Sequence, residues 1–454
     1  MCILSKPCSH EELEELAVTA ASIASSIVAA DDFMNKEGTR KGCKTIPRIR
    51  RSVEDMFAGL GPVYSRKSYR MRTDSFYKLH DMLFRDNPYP KKRKNGVTPN
   101  GPITSKSVLS QALRFFAGGA TYDIGDNHGV HTNKVYDAVW DIVDRVNQNE
   151  DLKIKFPNHE EQKMIADEFM NKSWVNFNNC VGCIDGMLVW CHKLSEKDLE
   201  GTQIGSSKFF CGRKGKHGLN LIAVCDHMYR FIDVDISHPG STSDYLAFST
   251  SLLIKKLESD GFLVKGLCLY GDNAFVNTPF MACPFKGVSS GCKDAYNFFQ
   301  SQMRIHIECA FGILVQRWGC LRKPLPPNLS LPKITALVRC LCILHNFCIN
   351  EEEIFCPKYT ISDELNIQSE GGFGCEVNDE ENGESSDPIR VKRKGYVHSN
   401  RPNELLDGGE HFEDCSYSLM RVGVQKEDLP RVAMLKQVEM FGYDCRPKIR
   451  RKLK

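Results

Sequence analysis

The stretch CVGCIDGMLVWCH, residues 180–192, is where the period of the chain changes. Before Trp174, apolar residues recur at three- and four-residue spacing, as on helices. Here they run almost unbroken, and Gly186 interrupts them. That pattern predicts a strand, a glycine turn and a second strand. Asp185 stands against the turn, on or just after the end of the first strand. Two further strands follow, GLNLIAVCD (218–226) and RFIDVDIS (230–237), around a turn at 227–229. The segment 239–259 opens on Pro-Gly and becomes a helix, and LVKGLCLYGD (263–272) is another strand. Helical spacing returns over 297–318 and 334–349. These consecutive antiparallel strands, then helix, strand and helix, predict an α/β or α+β layer.

Three carboxylates fall at significant places in that layer. Asp185 is the first, and Asp272, beside Gly271, ends the strand 263–272. The third, Glu308, lies in RIHIECAFG (304–312), on a helix whose Ile307, Phe311, Leu314, Val315 and Trp318 form one apolar arc. Taken alone, Glu308 would be explained by an ion pair with Arg304 one turn earlier, worth a few tenths of a kcal/mol. Open sheets, however, place their chemistry at the ends of neighbouring strands. A helix packed there brings its carboxylate to the same edge. Three converging carboxylates repel one another unless a cation sits among them. Mg2+ or Mn2+ prefers hard oxygen ligands and keeps water and phosphate in its shell. Two such ions about 3.5–4 Å apart activate a water or a 3′-hydroxyl and stabilise the leaving oxygen. Asp185 would bridge both ions, with Asp272 and Glu308 holding one each.

The 454 residues suffice for roughly two or three domains. Hydrophobic content of 41% and charged content of 26% are ordinary for a globular chain, so neither a disordered nor a fibrous class is indicated. A net charge of +3 says nothing about nucleic acid, but its distribution does. Basic clusters lie at 91–94, 392–394 and 446–454, and acidic runs at 351–353 and 376–387. No uninterrupted apolar run of about 18 residues is present, and the N-terminus has no signal-peptide pattern. Twenty cysteines without a signal peptide indicate a reducing compartment. Cys180, Cys183 and Cys191-His192 form one group, and Cys340, Cys342, His345 and Cys348 another. Neither has a second CxxC at finger spacing, and both read as buried small hydrophobes.

The remaining chain divides by composition. Residues 1–50 are a mobile N-terminal segment with a short helical stretch at 11–30, and 51–150 a helical domain interrupted by a Pro/Gly/Lys-rich linker at 86–103. Residues 175–350 hold the strands, 351–390 an acidic disordered linker, and 391–454 a basic tail with a short helix at 429–440. Within the helical domain, 105–146 reads helix, short helix, glycine turn, capped helix, the order of a helix-turn-helix. Thr132 would cap the last helix, and Thr132, Asn133 and Lys134 would begin a recognition helix. A plain helical packing unit without DNA contact gives the same pattern. The loop 212–217, GRKGKH, carries Arg213, Lys214 and Lys216, which suits a phosphate backbone or equally a solvated hairpin.

Six phrases taken together resemble the transposases of PIF/Harbinger elements and the nucleases derived from them, in the DDE superfamily. They are CIDG (183–186), GRKGKHGLNLIAVCD (212–226), PGSTSDYLAF (239–248), LYGDNAFVNTPFMACPF (269–285), the helix 297–321 and LHNFC (344–348). The helical pattern at 105–146 and the tail phrase FGYDCRP (441–447) are similar as well. The resemblance implies an RNase H-like mixed sheet with flanking helices. It implies divalent-metal-dependent phosphodiester chemistry on DNA, with strand transfer in an active transposase, in the nucleus and with a Myb-like partner protein. It carries the catalytic and metal-binding roles onto Asp185, Asp272 and Glu308. Glu308 follows Asp272 by 36 residues (308 − 272), within the family's short spacing. Asp244 matches the Asp of the family's PGS phrase, as an auxiliary acid or a helix cap. Arg304 matches the Arg before the Glu, orienting it, touching phosphate or making a structural ion pair. Asn273-Ala274-Phe275 departs from the family's usual phrase without touching an acid. A domesticated nuclease without transposition and a non-catalytic DNA-binding regulator share the same motifs, and a homo-oligomer stays open.

Overall fold

The computed structural model describes residues 48–86, 102–202, 204–288, 290–327, 329–355 and 429–443. The expectations for the helical stretch at 11–30, the basic clusters, the acidic linker and the last tail residues lie outside them.

The sheet is built on β1 (Cys180–Trp190), an unbroken strand of 11 residues. Gly186 is therefore not a turn, contrary to the sequence reading. It sits mid-strand, paired with Ile222. A glycine inside a strand also marks a close approach. Here the Asp244 carboxylate does the approaching, since Asp244 Oδ1 lies 2.1 Å from where a Gly186 Cβ would stand.

β3 (Lys216–Cys225) pairs antiparallel with β1 and with β4 (Phe231–Pro239). A short β2 (Phe210–Cys211) closes a hairpin onto the start of β3. Beyond β1 the sheet continues with β5 (Cys268–Tyr270) and β6 (Met281–Ala282), both parallel to their neighbours. The order is β2-β3-β1-β5-β6, with β4 also on β3. With its flanking helices this is the mixed RNase H-like α/β architecture that the motifs imply.

Helices α1 (Val53–Tyr69), α2 (Thr73–Phe84), α3 (Ser105–Phe116), α4 (Thr121–His128), α5 (Thr132–Gln148) and α6 (His159–Lys172) precede the sheet. Short α7 (Asp244–Ser249) and α8 (Leu252–Leu257) follow β4 in place of one longer helix. Then come α9 (Gly291–Arg317), α10 (Leu331–Phe355) and α11 (Pro430–Met440).

Strand alternation sorts the core into two faces. On one, Cys183, Ala223, Cys225 and Phe231 pack with Met303, Ile307, Phe311 and Leu314 of α9. On the other, Ile184, Ile222 and Val224 pack with Phe248 and Leu253 and with Phe275 and Met281. The first cluster also takes in Leu109, Leu113 and Phe116 of α3 and Val139, Ile142 and Val143 of α5. At the junction, the buried Trp318 meets Phe116 edge-on at 6.2 Å. Helix α10 is long and apolar enough to cross a membrane by length and composition, but its Ile334, Leu337, Val338, Leu341 and Leu344 are buried in this core. Its cysteines are buried as expected, which pushes the Cys342 thiol up to about 12. Helix α11 docks on α9, and just past its end the Tyr443 ring lies tilted against Phe299 at 4.8 Å.

The helices at 105–148 follow the predicted order, and Gly129 closes α4 in the left-handed region at φ 62°. The cap of α5 differs by one residue. His131 is the N-cap, accepting from Asn133 N at 3.2 Å, and Thr132 is the first helical residue.

Two backbones cross where α3 ends and α9 has just ended. A Cβ on Gly319 would stand 2.4 Å from Ala117 O, whereas one on Gly312 would meet nothing within 4 Å. We expect Gly319→Ala to lower stability by about 1–3 kcal/mol, as overpacking does. Gly312→Ala, in the exposed interior of α9, should raise it by roughly 0.5–1 kcal/mol. Urea unfolding of the two variants side by side checks both.

Candidate active site

Asp185 sits in the middle of β1, one residue from the start of its glycine contact with Asp244. The parallel register pairs Cys183 with Tyr270. Two residues further on, Asp185 and Asp272 therefore stand side by side, Asp272 just past the end of β5. Alternation directs Asp185 to the same face as Cys183, which carries α9. There Cys183 Sγ lies 3.3 Å from Met303 O. Buried Gln300 fixes the helix over the strand ends, donating to Gly271 O at 2.8 Å and to Ala282 O at 3.1 Å. These contacts bring the next turns of α9, with Arg304 and Glu308, over Asp185.

Arg304 joins the acids. Its Nη2 donates to Glu308 Oε1 at 2.9 Å, and its Nη1 lies 3.5 Å from Asp185 Oδ2. The other Asp185 oxygen accepts from Gly186 N at 2.8 Å. Asp272 Oδ1 accepts from Ala274 N at 2.8 Å, which ties its carboxylate into the turn after β5. Phe275 anchors that turn against Phe248 at 5.7 Å.

Burial pushes the Asp185 carboxyl up to about 6. The Gly186 hydrogen bond and the Arg304 charge pull the other way, while the nearby Asp272 and Asp244 charges add to the rise. A buried carboxylate crowded by like charges is a group that a cation would relieve. The donors are all hard oxygens, the type Mg2+ and Mn2+ take, so the residue set fits such an ion in kind. Among the described residues, no three His, Cys, Asp or Glu side chains are gathered as one metal cluster. The cation between Asp185 and Glu308 is Arg304.

Asp244 departs from the reading of it as a cap. Ser243 is the N-cap of α7, accepting from Leu246 N at 3.3 Å. Asp244 instead accepts from Asn220 Nδ2 at 2.8 Å and abuts Gly186. Gly186 faces the side of β1 opposite Asp185, so Asp244 reaches the strand from the other face. Buried Asn220 was missed by sequence reasoning. Its signal was present as a polar residue within the apolar run of β3.

The basic candidates lie elsewhere. Arg213 and Lys214 are exposed at the tip of the β2–β3 hairpin, and Lys216 stacks its ammonium 3.8 Å from the Trp190 ring. Trp190 is five residues beyond Asp185 on β1, roughly 17 Å away at strand rise, so the loop is not beside the acids. At the start of α5, Asn133 and Lys134 are exposed and Thr132 half-buried, and Lys134 pairs with Asp137 at 2.6 Å.

The fold is of the RNase H-like α/β class. Comparison agrees, since residues 184–346 match the sequence model of the DDE superfamily endonucleases. Among curated proteins the chain is similar to HARBI1, which is named as a nuclease. The Bos taurus protein is 24% identical over 289 residues, covering 63% of this chain and 77% of that one. The Homo sapiens protein is 23% identical over the same length and coverage. A protein ALP1-like from Arabidopsis thaliana is 24% identical over 282 residues, covering 58% of this chain and 66% of its own. No solved structure matches significantly. The Harbinger-type resemblance read from the motifs therefore holds.

The Asp185 environment has a measurable consequence for stability. Its carboxyl is raised from 3.8 to about 6 in the folded state. Between those values the folded protein keeps a proton that the unfolded chain releases. The group's contribution is therefore best at low pH and is lost as pH rises through about 6. In chelator, Asp185→Asn should be more stable than wild type at pH 8, by an amount on the order of 3 kcal/mol, and should unfold at a higher temperature. The difference should shrink toward pH 4, and calorimetry across that range reads it directly.

Proposed function

We propose that this chain is a divalent-metal-dependent DNA endonuclease whose Asp185, Asp272 and Glu308 are the metal-holding and catalytic residues. The observation that carries the reading is the register. Asp185 on β1 and Asp272, just past the end of the parallel β5, fall at matching register, and Arg304 of α9 links Glu308 to Asp185. Bound between these oxygens, Mg2+ or Mn2+ ions would lower the pKa of a water and stabilise the leaving oxygen.

The chain's own residues do the rest. The Gly186 amide holds one oxygen of Asp185 and leaves the other facing α9. The Asx turn at Asp272 fixes the second carboxylate. Arg304 orients Glu308 and offers a forked donor that matches a phosphate. Arg213, Lys214 and Lys216 would hold phosphates about five nucleotide steps from the scissile bond, given roughly 17 Å along β1 and about 3.4 Å per step. Thr132, Asn133 and Lys134 would open a recognition helix in the major groove. The enzyme would act in the nucleus, alone or as a homo-oligomer, with a Myb-like partner. Strand transfer by the freed 3′-hydroxyl would make it a transposase. Hydrolysis alone would make it a domesticated nuclease.

A second reading has one observation in its favour. Arg304 already bridges Asp185 and Glu308, as in a structural salt bridge. That is what a non-catalytic DNA-binding regulator on this fold would show. Cleavage of supercoiled plasmid in Mg2+ or Mn2+ separates the two. Asp185→Asn, Asp272→Asn and Glu308→Gln should each lose more than the roughly 10–100-fold that outer-shell partners of a metal cost. Equal cutting by wild type and Glu308→Gln would remove Glu308 from the site. Absence of metal-dependent cutting by wild type, with the partner added, would favour the regulator.

A further inference from the structure

Arg304 is anchored unevenly. Its hydrogen bond to Glu308, at 2.9 Å, has the usual charge-assisted length, while that to Asp185, at 3.5 Å, is long and weak. Both partners of the long contact are largely shielded, with side chains 17% and 19% exposed. The guanidinium thus stands in the gap between a strand carboxylate and a helix carboxylate, where the nuclease reading would place a metal ion. It cannot leave by losing its charge, because arginine stays protonated in proteins. A guanidinium and a divalent ion a few Å apart repel strongly when partly desolvated. The two cations therefore exclude each other, and only side-chain movement clears the gap.

We propose that Arg304 is a placeholder cation that DNA removes. A backbone phosphate draws the guanidinium out of the gap, and metal then enters between Asp185 and Glu308. The inference rests on the nuclease reading above and adds the order in which the site is filled. Phosphate is the suitable trigger because its oxygens match the planar fork bidentately. DNA and metal would both favour the state with Arg304 swung out. Each must then tighten the other's binding by the same factor. Without DNA the carboxylates are held by an internal cation, and the site has little capacity to activate water.

The test is Mn2+ affinity of the full chain, read by electron paramagnetic resonance of the free ion, with and without a short DNA duplex. Mn2+ bound by the duplex alone is subtracted. In wild type the duplex should tighten Mn2+ binding by about 5–150-fold, the usual span of site coupling. Arg304→Gln should bind Mn2+ without DNA about as tightly as wild type does with it, and should lose the dependence on duplex. Arg304→Lys keeps a cation in the gap and should stay weak without DNA. The wild-type comparison needs no variant, so a poorly folding Arg304→Gln leaves the test intact. Equal wild-type affinity with and without duplex overturns the placeholder and leaves the nuclease reading standing, as does duplex dependence retained in Arg304→Gln. Absence of Mn2+ binding in every protein under both conditions overturns both.

Discussion

The docking of α9 across β1 and β5 is the constraint on which the site depends. Two strands bring two acids together by register alone, but the third acid arrives on a helix 36 residues later in the chain. Its height over the sheet is set by contacts that have nothing to do with chemistry. Gln300 bonds the carbonyls of Gly271 and Ala282, and Ile307, Phe311 and Leu314 are buried beneath the helix. A slip of one turn would move Glu308 by about 5.4 Å, beyond reach of its partners. The buried glutamine prevents the slip, since moving would leave its amide and the Gly271 carbonyl unpaired in a dry interior. Packing fixes the helix, and the helix fixes the acid.

The same packing makes the acids costly. Asp185 is buried near two other carboxylates, and Arg304 returns only part of the lost solvation. A fold selected for stability alone would replace it with a neutral residue. A local rule broken without a compensating gain is expected at functional or strained positions. Asp226, by contrast, is fully buried yet structurally explained. Its carboxylate caps the β3–β4 turn and pairs with Arg230 at 2.7 Å.

Much of this was legible in the chain. The period change at 180, the glycines beside Asp185 and Asp272, and the arc beside Glu308 located all three acids and the layers that carry them. The errors were local ambiguities that only tertiary contacts resolve. Gly186 gave a turn signal because a glycine in a strand and a glycine in a turn look alike in one dimension, and the deciding fact is Asp244 across the sheet. Asp244 gave a cap signal because Ser243 beside it satisfies the same rule, whereas Thr132 was displaced by His131, whose ring nitrogen accepts from Asn133 N although histidine is not a usual cap. The parallel pairing of β1 with β5 joins segments nearly ninety residues apart, and no local pattern encodes it.

Where the basic residues lie follows from the strand geometry. β1 carries an acid at its centre and Trp190 at its end, and Lys216 is held on that ring. Cation–π stacking commits the Lys216 side chain to one position and limits its reach toward a phosphate. Arg213 and Lys214, exposed on a turn that Gly215 closes at φ 63°, keep theirs. Under the nuclease reading, the positive charge of this hairpin is thus kept at a distance from the carboxylates, beside which Arg304 stands. That separation has a physical reason. Lysines packed against the acids would neutralise them and compete with metal, whereas at roughly 17 Å, beyond a Debye length at physiological salt, they attract a polyanion without disturbing the site.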